Sequence, residues 1–404
     1  MSSASLRRVA GACRVRCGLP CQLGGARYYG TGPSQAEARD EDTASRNAPN
    51  VHARSRTYFS GIQPTGVPHL GNYLGALRNW VKLQREAKPN DTLYFSVVGW
   101  HALTLPQDRN ALLKAQTDMV ALLLAVGLDP ERSIIFHQNQ NPDHLELAWY
   151  LNCITPVGKL RRMTTWKGRL ADARNANDES EVDDSLLNTG LFTYPVLQAA
   201  DILLYKATHV PVGEDQQQHI ELSRDLADSL NRQLGAHNKE FRRTFPLPEA
   251  VYTPSKRILS LRDPSSKMSK SSPFEQSRIL LTDKPEAIKS KIRKAVTDSN
   301  SEIAYDPINR PGTANLLTIL AACEDAQPEQ VAERYAGKDH GILKADVIDA
   351  ILELLRRPRE EYERLIQARD YLDRIVEGGL FKARSASGKV MRTVRDRLGM
   401  LAIP

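Results

Sequence analysis

From about residue 57 onward, apolar positions fall into short continuous runs that alternate with longer stretches of helical spacing. Thr57-Tyr58-Phe59-Ser60-Gly61 reads as a strand closed by a glycine turn. From about Leu70 to Glu86 the positions Leu70, Leu74, Leu77, Trp80, Val81 and Leu83 share one helix face. Thr92 to Val98 is a second strand, Leu112 to Val126 an apolar helix closed by Gly127, and Ser133 to Gln138 a third strand. Leu191 to Tyr205 and His209 to Val212 restore strand and helix character, and a helix follows from about Gln217 to Leu234. Apolar strands interleaved with helices predict a parallel sheet covered on both faces, an α/β fold. Later residues favour helix: about Pro285 to Val296, Ala314 to Cys323, Lys344 to Arg356, Glu360 to Glu377 and Ala383 to Leu398. The pattern therefore divides into an α/β domain over 57–275 and a mostly α-helical domain over 276–404.

Two regions break the rhythm. Residues 37–56 are polar and read as a linker, and the stretch around 172–185 is polar and acidic without apolar period, as in a surface loop. Residues 1–36 carry Arg7, Arg8, Arg14, Arg16 and Arg27, with no acid before Glu37. A Ser-rich, Arg-rich, acid-poor start has the composition of an organellar transit peptide, with mitochondrial import the favoured reading and a merely disordered tail the alternative. Removing those five charges from the formal +7 leaves about +2, so overall charge says little about a polyanion partner. No segment approaches the roughly 20 apolar residues of a membrane span. Of the five cysteines, Cys13, Cys17 and Cys21 lie in the leader, and no C-x-x-C pair suggests a metal site.

Candidate chemistry concentrates in segments nearly two hundred residues apart. Pro68-His69-Leu70-Gly71-Asn72 opens a helix, where unpaired N–H groups and the helix dipole favour phosphate. Lys267-Met268-Ser269-Lys270-Ser271 puts two ammonium groups on a loop of small residues. Together they suit a nucleoside triphosphate whose pyrophosphate leaves with growing negative charge.

These segments belong to an ordered series: S-G-I-Q-P-T-G (Ser60 to Gly66), P-H-L-G-N-Y-L-G-A-L (Pro68 to Leu77), Y-P-V-L-Q-A-A-D-I-L-L-Y (Tyr194 to Tyr205), V-P-V-G-E-D-Q-Q-Q-H (Val210 to His219), K-M-S-K-S and V-T-D-S (Val296 to Ser299). The series resembles the tryptophanyl-tRNA synthetases of bacteria and mitochondria, from roughly Thr57 to the C-terminus. The resemblance implies a class I aminoacyl-tRNA synthetase with a Rossmann-type catalytic domain and a helical anticodon-binding domain. It also implies a homodimer that uses ATP and Mg²⁺, with L-tryptophan and tRNA(Trp) as partners, no membrane, and work in the mitochondrial matrix. Mg²⁺ is expected to be held mainly through the ATP phosphates. No dedicated metal site is expected.

The resemblance also assigns roles. Gln63, Pro64, Thr65, His69, Gly71, Asn72, Gly213, Glu214, Asp215 and Ile258 match positions around ATP, with Lys267, Met268, Ser269, Lys270 and Ser271 as the phosphate loop. His69, Lys267 and Lys270 are the expected catalytic groups, and Lys167 is a further cation. Asp201 is the expected acceptor for the indole N–H, an otherwise unpaired carboxylate at the bottom of an apolar pocket. Tyr194, Gln198, Gln216, Phe59, Gly61, His101, Val210 and Val212 complete the expected tryptophan pocket. Gln198 stands where bacterial members carry methionine. For tRNA, the Lys289, Lys291, Arg293, Lys294 cluster and the six cations after Gly378 (Lys382, Arg384, Lys389, Arg392, Arg395, Arg397) offer phosphate contacts. Three other readings compete. A tyrosyl-tRNA synthetase shares the fold, a small-molecule adenylyltransferase shares the phosphate motifs, and a catalytically idle RNA-binding protein could keep the scaffold.

Overall fold

The computed structural model describes residues 55–163, 166, 168, 187–236, 238–252, 257–270, 272–300 and 302–400. The leader, nearly all of the linker, the acidic stretch, Lys167 and Ser271 lie outside the described residues.

Five parallel strands form one sheet: β1 (Thr57–Ile62), β2 (Thr92–Val97), β3 (Ile134–His137), β4 (His209–Val212) and β5 (Glu249–Tyr252), in the order β3-β2-β1-β4-β5. Thr57 pairs with Thr92, Tyr94 with Ile134, Tyr58 with His209 and His209 with Glu249. The chain moves outward from β1 through β2 to β3, then returns to the other side of β1 with β4. That reversal opens a crevice beyond the C-terminal ends of β1 and β4, where sheets of this kind bind ligands. Ser60 Oγ donates to Pro211 O at 3.0 Å across this seam.

Successive residues of a strand point to opposite faces, so a sheet buried on both sides needs apolar groups at nearly every position. Tyr58, Phe95 and Ile135 enter one core, while Phe59, Tyr94 and Phe136 enter the other. The first core is covered by α1, a continuous helical run of Leu70–Asn72, Tyr73–Leu77 and Arg78–Glu86, and by α2 (Arg109–Ala125). The second is covered by α3 (Asp143–Ile154), α4 (Thr189–Leu204) and α5 (Gln217–Leu234). Tyr73–Leu77 of α1 forms a wider π turn. Helix α2 starts three residues earlier than its apolar spacing predicts because Asp108 caps it, accepting from Ala111 N at 2.8 Å.

Later helices are α6 (Pro285–Arg293), α7 (Pro311–Cys323), α8 (Pro328–Glu333), α9 (His340–Ile366) and α10 (Arg369–Arg397). They do not stand apart from the sheet layers: residues 54–404 form one compact unit. Leu317, Leu343 and Ile351 join the first core, and Ala383, Val390 and Val394 join the second. Two expected breaks are absent. Helix α9 runs through Pro358, and α10 continues through Gly378 and Gly379. Helix α10 approaches β3 so closely that a Cβ on Gly379 would land inside the Ile135 carbonyl. A Cβ on Gly378 would meet nothing within 4 Å.

This contrast between neighbours gives a test. Gly379→Val should destabilise the protein by about 3 kcal/mol, because backbone must shift to admit the side chain. Gly378→Ala should stabilise it by about 0.5–1 kcal/mol through helix propensity. Urea-unfolding midpoints of the two variants against the parent check both signs.

Candidate active site

On one side of the crevice, β1 ends at Ile62 and the chain turns through Gln63, Pro64 and Thr65 to Gly66, whose φ of +98° a side chain would resist. His69 then opens α1 and is only 3% exposed. Its Nδ1 accepts from Asn72 N at 3.2 Å, and Asn72 Oδ1 accepts from His69 N at 3.1 Å, a reciprocal cap. The carbonyl of Asn72 therefore serves the helix, and its amide nitrogen is the group left to reach a nucleotide.

The lysine loop arrives here by backbone pairing. Leu70 N donates to Ile279 O at 2.8 Å, and Leu281 N donates to Pro68 O at 3.0 Å. Met268 N donates to Ile258 O at 3.1 Å, Ser260 N donates to Ser266 O at 2.9 Å, and Met268 itself is buried in the first core. The loop is thus one arm of a tight hairpin whose other arm carries Ile258. A Cβ on Gly71 would lie 3.5 Å from Ile258 Cβ and 3.1 Å from the His69 ring, so only glycine keeps this space open. Lys270 Nζ donates to Gly66 O at 3.2 Å, which joins the two distant motifs directly. Ser269 is half-buried beside it, and Lys267 is exposed.

Electrostatics agree with this convergence. Burial, then Lys270, Lys267 and Arg278, push the His69 imidazole down to about 3, so it is neutral at working pH. Burial also brings Lys270 down to about 8. A neutral histidine among three cations leaves a field that favours an anion.

On the amino-acid side, Asp201 lies on α4 and is 1% exposed. The sequence reading treats it as an unpaired acceptor, and the structure corrects this. Its Oδ1 accepts from Gln138 Nε2 at 2.7 Å and lies 2.6 Å from His144 Nδ1, and its Oδ2 lies 2.8 Å from His101 Nε2. Burial works to raise its pKa, but hydrogen bonds from His101 and His144 outweigh it and hold the carboxyl at about 2. A carboxylate offers about four acceptor directions. Three are used, two on Oδ1 and one on Oδ2.

Around it, Tyr194 is buried with its hydroxyl 3.0 Å from His219 Nε2. Gln198 Nε2 donates to Gln216 Oε1 at 3.3 Å, and Gln216 Nε2 donates to Asp215 Oδ2 at 2.9 Å. Phe59 stacks on Tyr205 with centroids 5.6 Å apart, Val210 is buried and Val212 half-buried. A Cβ on Gly61 would come within 2.7 Å of Val98 Cγ1, so packing alone already favours glycine there. Gly213 opens the turn carrying exposed Glu214 and Asp215, and a Cβ on it would sit 2.6 Å from Asp215 Oδ1.

The expected residues thus gather at the ends of β1, β2 and β4, except Lys167 and Ser271, which lie outside the described residues. Gln138 and His144 were missed. Gln138 follows β3 directly, and the rule that ligands sit beyond strand C-termini could have found it. His144 carries no comparable signal. Among the described residues, no three His, Cys, Asp or Glu side chains gather to hold a metal ion.

Several cations expected to meet tRNA have other work. Lys291 is buried and paired with Asp283 at 2.5 Å. Arg395 pairs with Glu146 and Asp143, Arg384 donates to Gln140 O, and Arg397 lies 3.7 Å over the Phe241 ring. Lys382, Lys389 and Arg392 remain exposed, as do Arg293 and Lys294.

Comparison with known proteins converges on one family. The profile of the class I tRNA synthetases (W and Y) matches residues 52–356. The mitochondrial tryptophan--tRNA ligase of Saccharomyces cerevisiae is 43% identical over 359 residues, 87% of this chain and 93% of the relative. The tryptophan--tRNA ligase of Bacillus subtilis is 39% identical over 346 residues, covering 85% and 98%. The crystal structure of tryptophanyl-tRNA synthetase from Mycoplasma pneumoniae superposes with a TM-score of 0.73 at 33% identity, over 86% of this chain and 98% of that one. With the crevice described above, these matches establish that the chain belongs to the tryptophanyl-tRNA synthetases of class I, the bacterial and mitochondrial type.

Proposed function

We propose that the enzyme performs its two steps in the crevice at the β1/β4 seam, inside the mitochondrial matrix and as a homodimer. In the first step the tryptophan carboxylate attacks the α-phosphorus of ATP. A bond forms from one carboxylate oxygen to phosphorus, the bond from that phosphorus to the oxygen bridging to the β-phosphate breaks, and pyrophosphate leaves with the electron pair. In the second, a hydroxyl of the terminal ribose of tRNA(Trp) attacks the acyl carbon of the adenylate, an ester bond forms, the bond from that carbon to the phosphate oxygen breaks, and AMP leaves with the electron pair. In the first step the nucleophile is already a carboxylate, so no side chain has to act as general base there. Catalysis is then positioning and charge stabilisation.

Each part of the crevice has a task in this reading. Asp201 accepts the indole N–H through the open direction on Oδ2, beside His101, with Phe59, Gly61, Val210 and Val212 as walls. Tyr194, Gln198 and Gln216 face the amino and carboxylate groups. Gln63, Pro64, Thr65, Gly71, Asn72 and Ile258 hold adenine and the near phosphates, and Gly213, Glu214 and Asp215 meet the ribose. Lys267, Lys270 and Lys167 follow the charge onto the leaving pyrophosphate, with Met268, Ser269 and Ser271 shaping the loop. Mg²⁺ arrives on the ATP phosphates and neutralises part of their charge. Residues 276–404 supply the anticodon-binding surface, with Lys382, Lys389 and Arg392 as its free cations after Gly378. Residues 1–36 serve as the import signal and 37–56 as the linker.

The observation that carries the proposal is the meeting of Lys270 with Gly66, which closes two motifs some two hundred residues apart onto one end of the sheet. A competing tyrosine specificity is disfavoured by the likeness to tryptophan--tRNA ligases at 43% and 39% identity, since an open acceptor on Asp201 would by itself take a phenol O–H as readily as an indole N–H.

Two outcomes follow, both read by tryptophan-dependent ATP–pyrophosphate exchange. Asp201→Ala should lower kcat/KM for tryptophan by about 100-fold while phenylalanine activation changes little, since the loss falls on recognition of the N–H. Lys270 acts as a cation and has a lowered pKa of about 8, so kcat/KM for ATP should decline as pH rises through about 8 in the parent enzyme. Lys270→Arg should remove that alkaline decline, and Lys270→Ala should cut kcat/KM for ATP about 100-fold below about pH 8, with the loss relative to the parent shrinking at higher pH.

A further inference from the structure

A chain of buried hydrogen bonds runs from the last helix to the anchor carboxylate. Ser387 on α10 is fully buried, and its Oγ donates to Asp143 Oδ2 at 2.6 Å. Asn141 Nδ2 lies 3.1 Å from Ser387 Oγ and 3.2 Å from the Tyr205 hydroxyl oxygen. The Tyr205 hydroxyl lies 2.8 Å from His144 Nε2, and His144 Nδ1 lies 2.6 Å from Asp201 Oδ1. Asn141, His144, Tyr205 and Asp201 are all buried.

Donor and acceptor counting gives this chain a direction. The Asn141 amide has two hydrogens, one for Tyr205 and one for Ser387. Tyr205, held neutral because burial raises its pKa far above the ordinary value, donates its own hydrogen to His144 Nε2. Nε2 then carries no hydrogen, and the ring hydrogen sits on Nδ1, aimed at Asp201 Oδ1. With Gln138 also donating to Oδ1, both acceptor directions of that oxygen are filled. Oδ2 holds only His101 and keeps one direction open.

We propose that Ser387, Asn141, Tyr205 and His144 form a relay that fixes which oxygen of Asp201 receives the indole N–H. His144 and Tyr205 are thereby positioning residues for tryptophan selection, and selection is tied to the seating of α10. This rests on the reading of Asp201 as the indole anchor. Helix α10 is held over the start of the relay by Arg395 against Glu146 and Asp143, and by Arg384 on Gln140 O. Displacing α10 would therefore loosen the anchor without touching the pocket.

The test compares activation of tryptophan with that of 3-(benzothiophen-3-yl)alanine, a near-isostere in which sulfur replaces the indole N–H. The readout is the ratio of their kcat/KM values in pyrophosphate exchange. Tyr205→Phe keeps the rings stacked on Phe59 and Tyr94 and removes only the hydroxyl. It should lower the ratio about tenfold with KM for ATP unchanged, and Ser387→Ala should lower it about two- to threefold. His144→Asn, which keeps an N–H donor near the Nδ1 position, should hold the ratio better than His144→Leu. An unchanged ratio in Tyr205→Phe, with a collapsed one in Asp201→Asn, overturns the relay and leaves the anchor standing. Equal losses in the two His144 variants also overturn the relay, since they indicate packing alone. A parent enzyme that does not separate the two substrates overturns the anchor reading and the relay with it.

Discussion

Burying an ionised carboxylate costs several kcal/mol unless donors surround it, and Asp201 meets this requirement with three of them from three places in the chain. His101 follows β2, Gln138 follows β3, and His144 lies on α3. A donor displaced by even an ångström would leave a charge uncompensated in an apolar layer, so the demand acts as a constraint on the sheet and both neighbouring helices. The pairing of Asp201 and the correct registry of β2 and β3 are then one physical condition. In the proposed reading a partly satisfied anchor is also a selective one, because its remaining direction admits a donor and repels a bare hydrocarbon.

The other side of the crevice obeys a different logic. Its cations sit on a hairpin that is paired to the β1–α1 turn through backbone, with Met268 as the apolar peg and Lys270 bound to Gly66 O. Backbone pairing sets the position of the hairpin, and with it the place where positive charge collects. His69, kept neutral among these cations, holds the helix end without adding to their repulsion. The helix start is not the row of unpaired N–H groups expected from the sequence: Asn72 N donates to the His69 cap and Leu70 N to Ile279 O.

Much of this was legible in the chain. Strands β1 to β4 announce themselves because both faces are buried and their apolar runs are continuous, and the helix α1 begins where His69 and Gly71 place it. Strand β5 did not, because Glu249-Ala250-Val251-Tyr252 is short and half-exposed at the sheet edge. The breaks expected at Pro358 and at Gly378-Gly379 follow local propensity, which tertiary packing overrides: α10 keeps Gly379 to approach Ile135. In the site, motif residues were readable one by one, but the partners of Asp201 were not, since hydrogen bonds across 57 to 100 residues leave no mark on local spacing. The basic C-terminus misled for the same reason. Arg384, Arg395 and Arg397 look like a solvated stripe in sequence, and the fold uses them to seat α10.

The most direct test of the account is a crystal structure of the enzyme with tryptophan and a non-hydrolysable ATP analogue. The indole nitrogen should lie within about 3.2 Å of Asp201 Oδ2, with His101, Gln138 and His144 still on the carboxylate and both lysines of the hairpin against the triphosphate. An indole bound elsewhere, an Asp201 rotated away from its donors, or a triphosphate held away from Lys267 and Lys270 would contradict it.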